Sequence, residues 1–198
     1  MRLPGLAIGF APWILFLVMP HRLDDGAVLI FSGALSCAVA ALLTWWSRGR
    51  SGIKMLSASA IPTFAALTAF TAIATDSART WLGNYAPGAV LFVLAIVMFS
   101  TIPSAPFTEQ YARESLPDDY WHAPRLHQLN TRVSLLWAIT CLVAAASITT
   151  AALIATPETG VSVLSMLTLQ WLVPVLLALA ASRYTAVLTR IDHPAAHT

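Results

Sequence analysis

Charge is what this sequence has least of. Of its 198 residues only 10% are Asp, Glu, Lys or Arg, against about 25% in a soluble domain. Hydrophobic residues make up 58%, and the mean hydropathy is +0.73. Most of such a chain must face lipid or other helices, not water. The scarcity is also patterned. No Asp, Glu, Lys, Arg or His falls mid-way along an apolar run. That removes the usual parts of a proton relay and the axial histidines of a membrane haem. There are two cysteines, Cys37 and Cys141. Both lie in apolar runs without CxxC or zinc spacing, and they read as small hydrophobes. HExxH, Glu-x-x-His and G-x-S-x-G are all missing, so the sequence offers no catalytic residue, metal site or cofactor to name. A net charge of +2 gives no reason to expect nucleic acid as a partner.

What is there is a series of apolar runs at residues 4–19, 27–46, 53–74, 85–102, 131–155 and 161–181. A span needs about 20 apolar residues. The first and fourth runs are short for this and the others are ample. Val18-Met19-Pro20 is not a small-x-small cleavage site, so the first run reads as a retained helix. The expectation is an all-α polytopic bundle of six spans, one domain over 1–198. Lys and Arg set its orientation. Arg2, Arg48, Arg50, Lys54, Arg113, Arg125, Arg132, Arg183 and Arg190 collect on one side, Arg22 and Arg79 on the other. By the positive-inside rule both termini are then cytoplasmic, as is the segment 103–130. Six spans form two groups of three with opposite polarity. Ala11-Pro12 is echoed by Ala86-Pro87, and Pro62 is echoed by Pro174. Inverted repeats with broken helices are a transporter pattern. In that reading Pro62, Pro174 and the deep polar residue Gln170 would line an intramembrane site. The bland alternative is a Gln170 hydrogen bond between helices.

The segment 103–130 is the one long polar interruption. Pro106 suits the first turn of a helix reaching about Ser115. On it Phe107, Tyr111 and Ser115 share a face, and Glu109 and Arg113 form an i, i+4 pair on another. Alone it is too short to hold in water. It is expected to lie on the bilayer surface with Phe107 and Tyr111 dipping in. Leu116-Pro117 ends it, and Tyr120 and Trp121 sit at headgroup level. Pro124 then starts a helix that runs unbroken into the fifth span. Leu126, Asn130, Val133 and Trp137 fall on one stripe, so Asn130 should face the bundle and find a partner there. His127, Thr131, Ser134 and Ala138 form a small-polar stripe beside it. Arg113, Arg125 and Arg132 are placed to meet lipid phosphates. Glu109, Glu114, Asp118, Asp119, His122 and His127 supply possible metal ligands. Yet the two histidines stand about 140° apart on a helix, and the group reads as a solvated loop.

Pro106-Phe107-x-x-x-Tyr111-Ala112-Arg113, then Trp121-x-x-Pro124, Asn130 and Trp137, resembles a pattern in small polytopic proteins grouped with intracellular septation protein A. So does the earlier layout, an apolar helix ending in Trp45-Trp46 before a basic loop. The resemblance covers about residues 25 to 150. It implies a helical bundle in the bacterial cytoplasmic (inner) membrane, linked to envelope or division upkeep and without a known catalytic activity. Pro106, Tyr111, Ala112, Arg113, Trp121, Pro124, Asn130 and Trp137 would be the family positions. The expected function is that of a structural or accessory membrane protein, not an enzyme. Its central segment would bind anionic lipid or an envelope or division protein. The alternatives are a carrier of a neutral or lipidic substrate, and an interfacial enzyme of lipid or isoprenoid chemistry.

Overall fold

The computed structural model describes residues 3–19, 26–47, 54–113, 124–155 and 163–191. These form α1 (Leu3–Val18), α2 (Gly26–Ser47), α3 (Met55–Ile73), α4 (Asp76–Thr101), α5 (Phe107–Arg113), α6 (Pro124–Ile154), α7 (Val163–Leu167), a π-helical turn (Thr168–Leu172) and α8 (Val173–Ile191). No strand occurs among the described residues. Five helices are long and apolar enough to cross a membrane: Gly26–Ser47, Met55–Ile73, Asp76–Thr101, Pro124–Ile154 and Val163–Leu188. The chain is all-α with the make-up of a multi-pass membrane protein. α1 has 16 residues, about 24 Å at 1.5 Å per residue, which is less than a hydrocarbon core of about 30 Å.

Two spans are longer than hydropathy implies. α4 begins at Asp76, nine residues before the expected start at Tyr85. Its first turns carry Asp76, Ser77, Arg79, Thr80 and Asn84, which a search for apolar runs passes over. They are helical because Arg79 reaches back to α3: its Nε donates to the Thr71 carbonyl and its Nη2 to the Ala72 carbonyl, each at 3.2 Å. Those carbonyls end α3 without helical partners, and a cation there also suits the helix dipole. At the other extreme, α8 continues past Ala181 to Ile191.

The helices pack around two broad contacts, α4 on α6 and α2 on α3. Small residues bring the first pair together. A Cβ on Gly88 would overlap the Thr149 hydroxyl and lie 3.3 Å from the Ala145 carbonyl. Ala138, Cys141, Ala144, Ala145 and Ile148 line the facing side of α6. α1 lies against α2, α3 and α4. It is fixed by aromatic contacts, with Trp13 and Phe16 at 5.3 and 5.2 Å from Phe64 and Phe10 at 5.1 Å from Trp137. The Trp13 indole donates to the Leu56 carbonyl at 3.1 Å. Apolar burial holds α1 in place, and this one directed bond sets its register. Trp45 and Trp46 stand exposed at the end of α2, and Trp81 near the start of α4 is exposed against Tyr85. Such positions suit membrane–water interfaces.

α7 and α8 join through the π turn, and Pro174 is its cause. Proline has no N–H and its ring presses on the carbonyl four residues earlier. Here the Val173 N–H bonds the Thr168 carbonyl instead of that of Leu169. The Leu169 carbonyl is thereby released, and Ser147 of α6 donates its hydroxyl to it at 2.7 Å. A serine on the neighbouring helix thus satisfies what the proline left open.

Candidate functional site

The site is built where α5 enters the bundle. Thr101, buried, ends α4, and the chain turns through Pro103 and Pro106 into α5. α5 does not lie on the bilayer surface with its aromatics in lipid, as the sequence led us to expect. Phe107 and Tyr111 are buried inside the protein, and so are Thr108, Glu109 and Ala112. Seven residues cannot hold a helix in water. Here contacts with α1 and α6 do so. Two i, i+4 pairs side by side, Phe107/Tyr111 and Thr108/Ala112, give it a face wide enough to bury. Ser115, Trp121, Asp118, Asp119 and His122 lie outside the described residues.

Contacts on three sides and one ionic cluster seat α5. Toward α6, the Thr108 hydroxyl donates to the Asn130 carbonyl at 2.9 Å. That uses its one proton, so in the 2.9 Å contact between the two hydroxyls Ser134 is the donor. Ser134 Oγ in turn accepts the Thr108 N–H at 3.4 Å. Toward α3, Gln110 Oε1 accepts the Met55 N–H at 3.0 Å, and the Lys54 ammonium lies 5.0 Å above the Tyr111 ring. Toward α1, the Tyr111 hydroxyl occupies the space that a Cβ on Gly9 would fill. Thr108 was not singled out by the sequence reading. The signal for it was its i, i+4 relation to Ala112, beside the Phe107/Tyr111 pair.

The remaining contacts are ionic. The Glu109 side chain is 8% exposed, and both of its oxygens are engaged. Arg113 Nη2 donates to Oε1 at 2.6 Å, the expected i, i+4 pair. His127 Nδ1 lies 3.2 Å from Oε2. Glu109 is therefore no solvated-loop residue. A carboxylate taken out of water needs such partners, and charge-assisted bonds are the strong ones. Arg113 and His127 are 42% and 53% exposed, so this buried anion carries two cation-capable groups on its outer side. Because the carboxylate can only accept, the proton of a neutral His127 ring sits on Nδ1. Nε2 then offers its lone pair on the ring's far edge. That is how a histidine is oriented when it serves as a base or a ligand. Among the described residues, no three His, Cys, Asp or Glu come together as a metal would require.

The remaining sequence positions are distributed as follows. Asn130 is 2% exposed and faces the bundle, as its stripe implies. The expected side-chain bond is not made, since Nδ2 has no partner among the described residues and the backbone carbonyl accepts from Thr108 instead. Trp137 is half-buried and donates to the Thr185 hydroxyl at 3.2 Å. Pro106 is buried at the entry to α5, and Pro124 opens α6, exposed. Arg125 and Arg132 are exposed on α6. Pro62 is exposed on α3, which packs on α1, α2 and α4. Gln170 and Pro174, half-buried, lie on the segment that packs on α6. Pro62 therefore stands on a helix with packing partners different from those of the segment that carries Gln170 and Pro174.

The Thr108 network makes a prediction. Thr108→Val keeps the shape but removes one donor and one acceptor. It should lower stability by about 1–2 kcal/mol, the cost of a buried polar group left partly unpaired. In a thermal-denaturation cycle with Ser134→Ala the two changes should couple by about 0.5 kcal/mol or more. Additive losses would mean that the two hydroxyls do not act together. Comparison of the chain with family models, with curated proteins and with solved structures gives no match.

Proposed function

We propose that this protein is a structural or accessory protein of a bacterial inner membrane, with six spans and both termini cytoplasmic. The end of the bundle that holds α5 would be its working surface, binding anionic phospholipid. The observation that carries this reading is the placement of cations there. Arg125 and Arg132 are exposed at the start of α6 and have no ion-pair partner among the described residues. Lys54 and Arg113 stand at the same end, on elements that α5 ties together. The acid among them, Glu109, is already engaged by Arg113 and His127. Glu114, Asp118 and Asp119 belong to the same stretch of sequence and offset this charge. What favours anionic lipid is where the arginines stand, not net charge. The split of nine basic residues to two supports the orientation.

Each basic side chain at an anionic surface contributes roughly 1 kcal/mol, within a Debye length. Arg125→Gln with Arg132→Gln should therefore reduce retention of phosphatidylglycerol by the purified protein by about 30-fold relative to phosphatidylcholine. Raised salt should mimic the change. Native mass spectrometry across a lipid titration reads this directly. Equal retention of both lipids, unaltered by the arginine changes, would refute the lipid-binding surface and favour a protein partner. A second reading, an enzyme acting on lipid at the interface, draws on the pairing of His127 with Glu109. Consumption of an added lipid, lost in Glu109→Gln, would establish it.

A further inference from the structure

We propose that His127 makes the lipid contact proton-linked: its outer nitrogen, when protonated, donates to the phosphate of an anionic phospholipid headgroup. This rests on the lipid reading above. The geometry that points to it is the division of the ring between two environments. Nδ1 is anchored on the buried Glu109 carboxylate at 3.2 Å, while the side chain as a whole is 53% exposed. A neutral ring held this way presents a lone pair, which repels a phosphate oxygen. A protonated ring presents an N–H and a positive charge instead. Arg113, on the same carboxylate, is 42% exposed and adds a second cationic donor beside it.

Among the described residues few charged groups stand near His127. From α5 they are Glu109 and Arg113; Lys54, just before α3, lies over the Tyr111 ring, and α4, which packs on α6, carries no charged side chain after Arg79. α1 has no charged or titratable side chain between residues 3 and 18. On α6 itself Arg125 and Arg132 flank it. α8 meets α6 through Thr185 on Trp137, almost three helical turns further along. Histidine is the side-chain type whose charge ordinarily changes between about pH 5 and 8. The sign follows: proton uptake adds one positive charge at the surface, so anionic lipid binds more tightly as pH falls.

The test is a phosphatidylglycerol titration of the full chain in detergent at pH 5.5 and pH 8. The wild type should bind about fivefold more tightly at the lower pH, the worth of one elementary charge at an anionic surface. His127→Asn is the informative variant. Its amide nitrogen takes the place of Nδ1 and can still donate to Glu109, which protects the seating of α5, but the outer nitrogen is gone. It should bind phosphatidylglycerol with no pH dependence. His122→Asn should leave the fivefold difference intact. Arg125→Gln with Arg132→Gln should weaken binding at both pH values and keep the ratio between them. Survival of the pH effect in His127→Asn, its loss in His122→Asn, or a flat wild-type profile overturns the role of His127 while the arginine-dependent lipid surface stands. If phosphatidylglycerol is not preferred over phosphatidylcholine at either pH, both readings fall together.

Discussion

Replacing Arg113 by Met and His127 by Leu in one chain is expected to lower stability by about 3 kcal/mol, and adding Glu109→Gln to recover most of that loss. The asymmetry comes from burial. Glu109 is enclosed, whereas its two partners are about half in water. Removing Glu109 lets Arg113 and His127 turn to solvent at small cost, near the 0–1 kcal/mol of an exposed pair. Removing the partners leaves a carboxylate buried and uncompensated. Breaking fully buried pairs in this way costs about 3–5 kcal/mol, and the half-exposed partners put this case at the lower end. Glu109→Gln alone should therefore cost about 1 kcal/mol. Chemical denaturation in detergent, followed by circular dichroism, measures all three variants. A triple variant as unstable as the double would mean that an unpaired Glu109 is not the source of the loss.

Gly9→Ala should also destabilise, by about 2 kcal/mol, and the sign is the diagnostic part. In the interior of a helix this change ordinarily stabilises by about 1 kcal/mol, because alanine has the higher propensity. Gly9 lies inside α1. An added Cβ there would overlap the Tyr111 hydroxyl and stand 2.9 Å from its ring Cζ. Tyr111 is buried, with little room to swing away, and overpacking of this kind costs about 1–3 kcal/mol. Tyr111→Phe in the same chain removes the hydroxyl but keeps the ring, so it should recover part of the loss. A gain in stability from Gly9→Ala would show that α5 does not press on α1 as described.

Much of the fold was legible because lipid imposes a simple rule. A chain that must satisfy its backbone inside hydrocarbon forms helices, and long apolar runs mark them. That is why α2, α3 and the unbroken α6 stand where hydropathy puts them. It is also why the start of α4 was missed, since Asp76 to Asn84 is helical through Arg79 and the end of α3, not through apolar character. At the site, the stripe of Asn130 with Val133 and Trp137 correctly implied its burial. Its partnering did not follow, because which atom bonds depends on Thr108 arriving from another helix. The burial of Glu109 was illegible for the same reason. A short polar helix reads as a surface element until its docking among α1, α3 and α6 is known. Ser147 is the extreme case. Nothing in α6 announces it, and its role exists because Pro174 releases a carbonyl 22 positions from it in sequence.

The bond from the Met55 amide to Gln110 bears on how the protein is made. The first N–H groups of a helix have no acceptor within it, and Lys54 supplies no side-chain cap to α3. The acceptor that Met55 uses lies 55 residues later in the chain. A ribosome adds roughly 5–20 residues per second. For several seconds α3 is therefore complete while its first turn waits for Gln110 to emerge. During that interval the Met55 amide must bond water or lipid headgroups. It becomes protected from solvent once α5 has entered. Pulse-labelling with deuterium during synthesis would therefore time the seating of α5 at an amide in α3.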